Sequence, residues 1–185
     1  MLDQHTRKLF FHAYIQPDID YASTCWDLAS KKCLKRLESL YRRSLKIVLL
    51  KSTPLEVKDY KELNILPFHL RCRFNKGIFM YKIMNNLAPS YLYKKFIVNN
   101  VRGKSTLFIP RPRTDLYMSS LIYSGGKLWN ETPVHLKQKH SFSSFKTSFQ
   151  RYLFQVVWLN YVFGPVILQL LTWEDDPEDV EKDHY

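Results

Sequence analysis

The sequence predicts a mainly α fold, a helical bundle with room for a short strand or hairpin in its middle. Three observations lead there. Apolar residues recur at spacings of three and four through 34–48 and again through 70–84. Five Gly among 185 residues are too few for a flexible linker protein. A 45% hydrophobic, 15% aromatic composition supplies a core and excludes a disordered basic tail or a collagen-like fibre.

The elements follow in chain order. Residues 3–15 read as a short helix that Pro17 should stop. Residues 31–50 make the clearest amphipathic helix, with Leu34, Leu37, Tyr41, Leu45 and Val48 as its apolar stripe. Thr53-Pro54 and Leu66-Pro67 bracket a shorter segment carrying Val57, Tyr60 and Leu63. Residues 68–85 predict another helix, with Leu70, Phe74, Ile78, Tyr81 and Met84 toward the core. Asn86 and Pro89 end it, and Pro89 suits the first turn of a short helix over 90–96. Residues 99–113, with Asn99-Asn100, Gly103 and Pro110-Arg-Pro112, read as a linker or exposed arm. A strand or hairpin is expected around 107–123, and Ser141 should cap a helix over 142–152.

Charge is distributed unevenly. The formal net charge is +11, yet residues 174–185 hold seven Asp and Glu against Lys182 alone. Residues 1–173 carry 27 Lys and Arg against 10 Asp and Glu, which points to a polyanionic partner, nucleic acid or an anionic membrane. Residues 31–51 have eight basic residues and only Glu38. Packing the apolar stripe of that helix leaves its cations exposed together, at a spacing that can follow phosphates. Between Leu63 and Thr114 there is no Asp or Glu but ten Lys and Arg, whereas an ordinary solvated surface mixes signs. Arg111-Pro-Arg113 presents two guanidinium forks on a stiff backbone, near Phe108 and Tyr117, either of which could stack on a base. These cations also fit plain solvated helix faces and an ordinary loop.

Catalytic and metal motifs are sparse. Cys25, Cys33 and Cys72 form no regular framework, which favours a reducing compartment, nucleus or cytoplasm. The first residues lack the apolar core of a signal peptide. His69-x2-Cys72 and Asp18-x-Asp20 are better read as structural and turn residues than as ligands. Asp175-Asp176 follows Trp173 where a polymerase would place the Tyr of Tyr-x-Asp-Asp, and is read as part of an acidic tail. No catalytic residue, metal or cofactor is expected.

Several motifs, in order, resemble a known family. They are Ala13-Tyr-Ile-Gln-Pro-Asp-Ile-Asp-Tyr21 with Ser23-Thr-Cys-Trp26, Leu34-x2-Leu37-x3-Tyr41-Arg-Arg43, and Leu63-Asn-Ile-Leu-Pro67. Met80-Tyr-Lys-Ile-Met-Asn-Asn-Leu-Ala-Pro89-Ser-Tyr-Leu92, Pro110-Arg-Pro-Arg-Thr114, Ser120-x2-Tyr-Ser-Gly125-x2-Leu-Trp-Asn130-x2-Pro133 and Ser141-Phe-x2-Phe145-Lys complete the series. Over residues 7–154 the chain resembles the region beyond the palm in jockey-like non-LTR (LINE-type) retrotransposon reverse transcriptases. The resemblance implies a thumb-like helical region over 1–98, a basic linker or arm over 99–118 and a C-terminal helical segment over 119–154. An apolar stretch over 155–173 and an acidic tail over 174–185 follow. It also implies that RNA or DNA is gripped by Arg36, Arg42, Arg43, Lys46, Arg111 and Arg113, and the basic helix and the acid-free window add Lys35, Arg71 and Arg73 to that set. The family's palm, with its catalytic carboxylates, and its endonuclease have no counterpart in these residues. A catalytically silent, truncated nucleic-acid-binding descendant is therefore expected.

Two other readings stay open. Residues 152–173 hold no charged side chain and, as a helix, would extend ~33 Å, enough to cross a bilayer. Gln155, Asn160, Gln169 and Gly164-Pro165 favour instead two short helices packed on a core. An interaction module, or a decayed reading frame with no selected activity, is the third reading.

Overall fold

The computed structural model describes residues 2–21, 23–101 and 104–163. Helices dominate, with one small antiparallel hairpin in the middle of the chain. The N-terminal arm is helical from Gln4 to Asp20: α1 (Gln4–Phe10), a π turn (Phe11–Ile15) and α2 (Gln16–Asp20). Asp3 caps it, its carboxylate accepting from the Thr6 N–H at 3.4 Å. Pro17 does not stop this helix, contrary to the sequence expectation. It sits in the first turn of α2, where no N–H is required, and the preceding wide turn accommodates its ring.

Helix α3 (Lys31–Leu49) begins at Ser30, whose hydroxyl accepts from the Cys33 N–H at 3.3 Å, and ends at Leu50 in the left-handed conformation. Helix α4 (Val57–Leu63) starts where the Asp59 carboxylate takes the Glu56 N–H at 2.7 Å. Helix α5 (Phe68–Met84) is central, buried on several faces rather than along one stripe, and even Lys76 and Gly77 are enclosed. A short α6 (Ser90–Tyr93) follows, with Pro89 just before its first residue.

The hairpin pairs β1 (Val98–Val101) with β2 (Lys104–Leu107), starting one residue before the stretch expected to be a linker. It meets 107–123, the stretch expected to hold a strand or hairpin, only at Leu107, and the chain turns helical from Asp115. Turn-forming Asn and Gly read alike in loops and hairpins, so composition does not separate the two. The hairpin is tied down: Asn130 accepts the Leu107 N–H at 2.8 Å and donates to the Leu107 carbonyl at 2.9 Å. Short helices α7 (Asp115–Met118), α8 (Gly126–Glu131) and α9 (Val134–Lys137) lead to α10 (Phe142–Phe163). Ser141 caps α10 as expected, accepting from the Ser144 N–H at 3.2 Å. The helix runs on past Tyr152 and across the 154/155 boundary to Phe163. Residues 164–173 and the acidic tail lie outside the described residues.

Two apolar clusters meet along α5. The first joins Phe11, Tyr41, Leu45, Val48, Leu63, Ile65 and Phe68, and fixes α3 against the arm and α4. Tyr41 anchors it, donating its buried hydroxyl to the Leu66 carbonyl at 2.7 Å. The second cluster centres on stacked rings from α5 and α10: Tyr81 on Phe145 at 4.2 Å, Phe145 on Phe149 at 5.3 Å and Phe149 on Phe74 at 6.1 Å. Gly77 makes this packing possible, because a Cβ there would come within 2.6 Å of Phe149 Cζ. Each buried ring contributes about 2–3 kcal/mol through area removed from water. No helix among the described residues is long and apolar enough to cross a membrane.

Candidate nucleic-acid interface

On α3 the burial of one stripe dictates what the other side offers. Tyr41, Leu45 and Val48 belong to the first cluster, Leu37 packs against it, and Leu34 is half-buried. At about 100° per residue the helix then carries Lys31, Lys32, Lys35, Arg36, Ser39, Arg42, Arg43 and Lys46 on a single opposing arc. All of these are exposed except Lys46, which is half-buried and donates to the Ser52 carbonyl at 3.3 Å. Two shallow depressions lie along the arc, one among Lys31, Lys32, Lys35, Arg36 and Ser39, the other among Lys35, Glu38, Ser39, Arg42, Arg43 and Lys46, so one carboxylate borders the cations. Among the described residues, Lys35, Arg36, Arg42 and Arg43 make no ion pair and no hydrogen bond. From Lys32 to Lys46 the arc runs ~21 Å, about six phosphates of one strand at ~3.4 Å each. Lys31 and Lys32 are absent from the set expected to grip nucleic acid. Their positions in the helical repeat, four and three residues before Lys35, are the sequence signal that includes them.

Arg71 and Arg73 belong to a different category. Arg71 donates through Nε to Asp20 Oδ1 at 2.8 Å and through its Nη2 to the other carboxylate oxygen. Asn75 donates to Asp20 Oδ1 at 2.8 Å and to the Ser23 hydroxyl at 2.9 Å. Burial pushes the Asp20 carboxyl up, but the hydrogen bonds and charge of Arg71, with the Asn75 bond, hold it below the ordinary aspartate value. Arg71 also lies 5.2 Å from the centre of the Phe74 ring. It is a fork that fastens α2 to α5, with little side chain left for a ligand. Arg73 pairs with Glu131 at 2.6 Å and links α5 to α8 at the surface. Both partners are more than 50 residues away in sequence, so the acid-free window around these arginines gives no sign of them.

Arg111 and Arg113 are exposed in the segment between β2 and α7, and make no ion pair among the described residues. They follow Leu107 of the second cluster, whereas α3 packs on the first, so the structure attaches the two sets of cations to different clusters. It brings Lys35, Arg36, Arg42, Arg43 and Lys46 together. Of the two aromatic residues near the Arg-Pro-Arg motif, Phe108 is exposed, while Tyr117 is half-buried and packs on Tyr123 at 6.2 Å between ring centres. No group of three or more His, Cys, Asp or Glu side chains among the described residues could hold a metal ion. Cys72 packs at the edge of the first cluster, and Asp20 serves Arg71 and Asn75.

No protein-family model, no curated protein and no solved structure matches this chain. What the site can do follows from its own chemistry: a row of unpaired cations on a rigid helix, facing solvent.

Proposed function

We propose that this protein binds RNA or DNA through the outer face of α3 and carries no catalytic centre of its own. The observation behind this reading is the contrast within one sequence. Lys35, Arg36, Arg42 and Arg43 are left exposed and unpaired on one arc, while Arg71 and Arg73 of α5 are used to hold the fold. Cations with no structural duty, at helical spacing and on a well-packed support, suit phosphates in a sequence-independent way. The resemblance to the post-palm region of LINE-type reverse transcriptases supports the same partner, and three cysteines without a regular framework fit a reducing compartment, nucleus or cytoplasm.

The test is binding of structured RNA and duplex DNA at low salt, with Arg42/Arg43→Ala beside the wild type. Affinity in the wild type is expected to fall steeply with added salt, and the double variant to bind ~10-fold or more weakly on both ligands while melting unchanged. Equal affinity in the two proteins would make α3 a merely solvated face.

A further inference from the structure

A second, chemically different surface lies on the hairpin. β1 and β2 pair with Val98 opposite Leu107 and Asn99 opposite Thr106, and the pairing continues one step further, where the Phe108 N–H donates to the Ile97 carbonyl at 2.8 Å. Side chains alternate between faces along a strand, and cross-strand partners share a face. Leu107 is buried and Val98 packs on the second cluster. In step with them, Phe96 and Ile109 approach α8, lying 3.9 and 3.7 Å from where a Cβ on Gly126 would stand. Ile97 and Phe108 therefore point outward, and they are 60% and 50% exposed.

The surroundings of this pair are cationic. Lys94 and Lys95 precede Ile97, Arg111 and Arg113 follow Phe108, and all four are exposed. The whole stretch lies inside the window that has no Asp or Glu. A flat ring and an aliphatic side chain, flanked along the chain by cations, select a polyanion that also presents flat apolar faces. Unpaired bases on a phosphate backbone have that chemistry, whereas a duplex hides its base faces in the stack. A lipid surface fits less well, because the outer face turns polar at the exposed Asn99 and Thr106.

We propose that the outer face of the hairpin is a stacking platform for single-stranded nucleic acid. Phe108, supported by Ile97, takes an unpaired base, and Lys94, Lys95, Arg111 and Arg113 take the adjoining phosphates. This rests on the nucleic-acid reading above and adds a strand-state preference to it: α3 recognises phosphates alone, and the hairpin recognises bases.

The experiment measures binding of the full chain to three probes: an oligothymidine, an abasic deoxyribose-phosphate strand of equal length, and a duplex. The wild type is expected to bind the oligothymidine about 5- to 100-fold tighter than the abasic strand. Phe108→Ala should abolish that ratio and Phe108→Tyr should restore it, with duplex affinity the same in all three proteins. Because Phe108 is exposed, the alanine variant is expected to keep its melting temperature. Equal wild-type affinity for thymidine and abasic strands overturns the proposal, as does a loss in Phe108→Ala that is the same on all three probes. Phe108-dependent binding to phosphatidylserine vesicles without any thymidine-over-abasic preference also overturns it, in favour of a lipid surface. Duplex binding that persists through α3 in those cases leaves the broader reading standing, whereas loss of binding to every probe removes both.

Discussion

Helices α3 and α5 are both basic, and they use their charges in opposite ways. On α5, Arg71 grips Asp20 and Arg73 grips Glu131, and α5 is enclosed by both apolar clusters. On α3 one stripe is buried, and Lys35, Arg36, Arg42 and Arg43 on the other face are left without partners among the described residues. The difference shows that a count of basic residues overstates a binding surface, because part of the count is structural. Burial and pairing decide which arginines remain available. The exposed cation row belongs to the helix with the simpler packing.

That contrast can be broken at several points, in order of expected effect. Asp20→Ala leaves Arg71 half-buried without its carboxylate and should lower stability by roughly 3 kcal/mol, read as a drop in melting temperature. The folded variant should bind nucleic acid as the wild type does. An affinity loss equal to that of the α3 variants would instead place Arg71 in the binding surface. The same pair sets a pH dependence. The Asp20 carboxyl is held below its ordinary value of 3.8, so its contribution is present above that pH. It is lost as the pH falls from there through the lowered value. An acid titration of melting temperature should show a loss in that range in the wild type that Asp20→Asn lacks.

Gly77→Ala comes next. The added methyl gains helix propensity but meets Phe149, which is fixed between Phe74 and Phe145, so a net loss of about 2 kcal/mol is expected in denaturant melts. Ser30→Ala removes the cap of α3 and should cost about 1 kcal/mol, with faster amide exchange in the first turn that carries Lys31 and Lys32. Arg73→Gln breaks only a surface pair and should change stability by less than about 1 kcal/mol. If Arg73→Gln weakened binding as much as a substitution on α3, the division between structural and free cations would fail.

The amphipathic helix is legible in the sequence because its determinants are local. The spacing of Leu34, Leu37, Tyr41, Leu45 and Val48 fixes both the buried stripe and the exposed arc, so the charged face follows from it. The cap at Ser141 and the mainly helical class are legible for the same reason. Other features depend on residues far apart in sequence. The partners of Arg71 and Arg73 come from α2 and α8, and no window around either arginine reveals them. Pro17 reads as a stop because a π turn that makes room for it has no strong sequence mark. The hairpin reads as an arm because Asn130, some twenty residues downstream, is what fastens it. On α5, the apolar stripe expected from periodicity understates the burial, since a helix packed on several sides keeps only a short exposed strip, His69 and Arg73, to set the phase.

The most direct test of the central claim is the salt dependence of duplex DNA binding in two variants. One carries Gln at Lys35, Arg36, Arg42 and Arg43, all exposed positions where Gln keeps helix propensity; the other carries Gln at Arg73 alone. The slope of log affinity against log salt should become shallower by up to ~0.9 for each phosphate that the α3 variant no longer neutralises, and stay at the wild-type value in Arg73→Gln. An α3 variant with the wild-type slope and affinity would contradict the account.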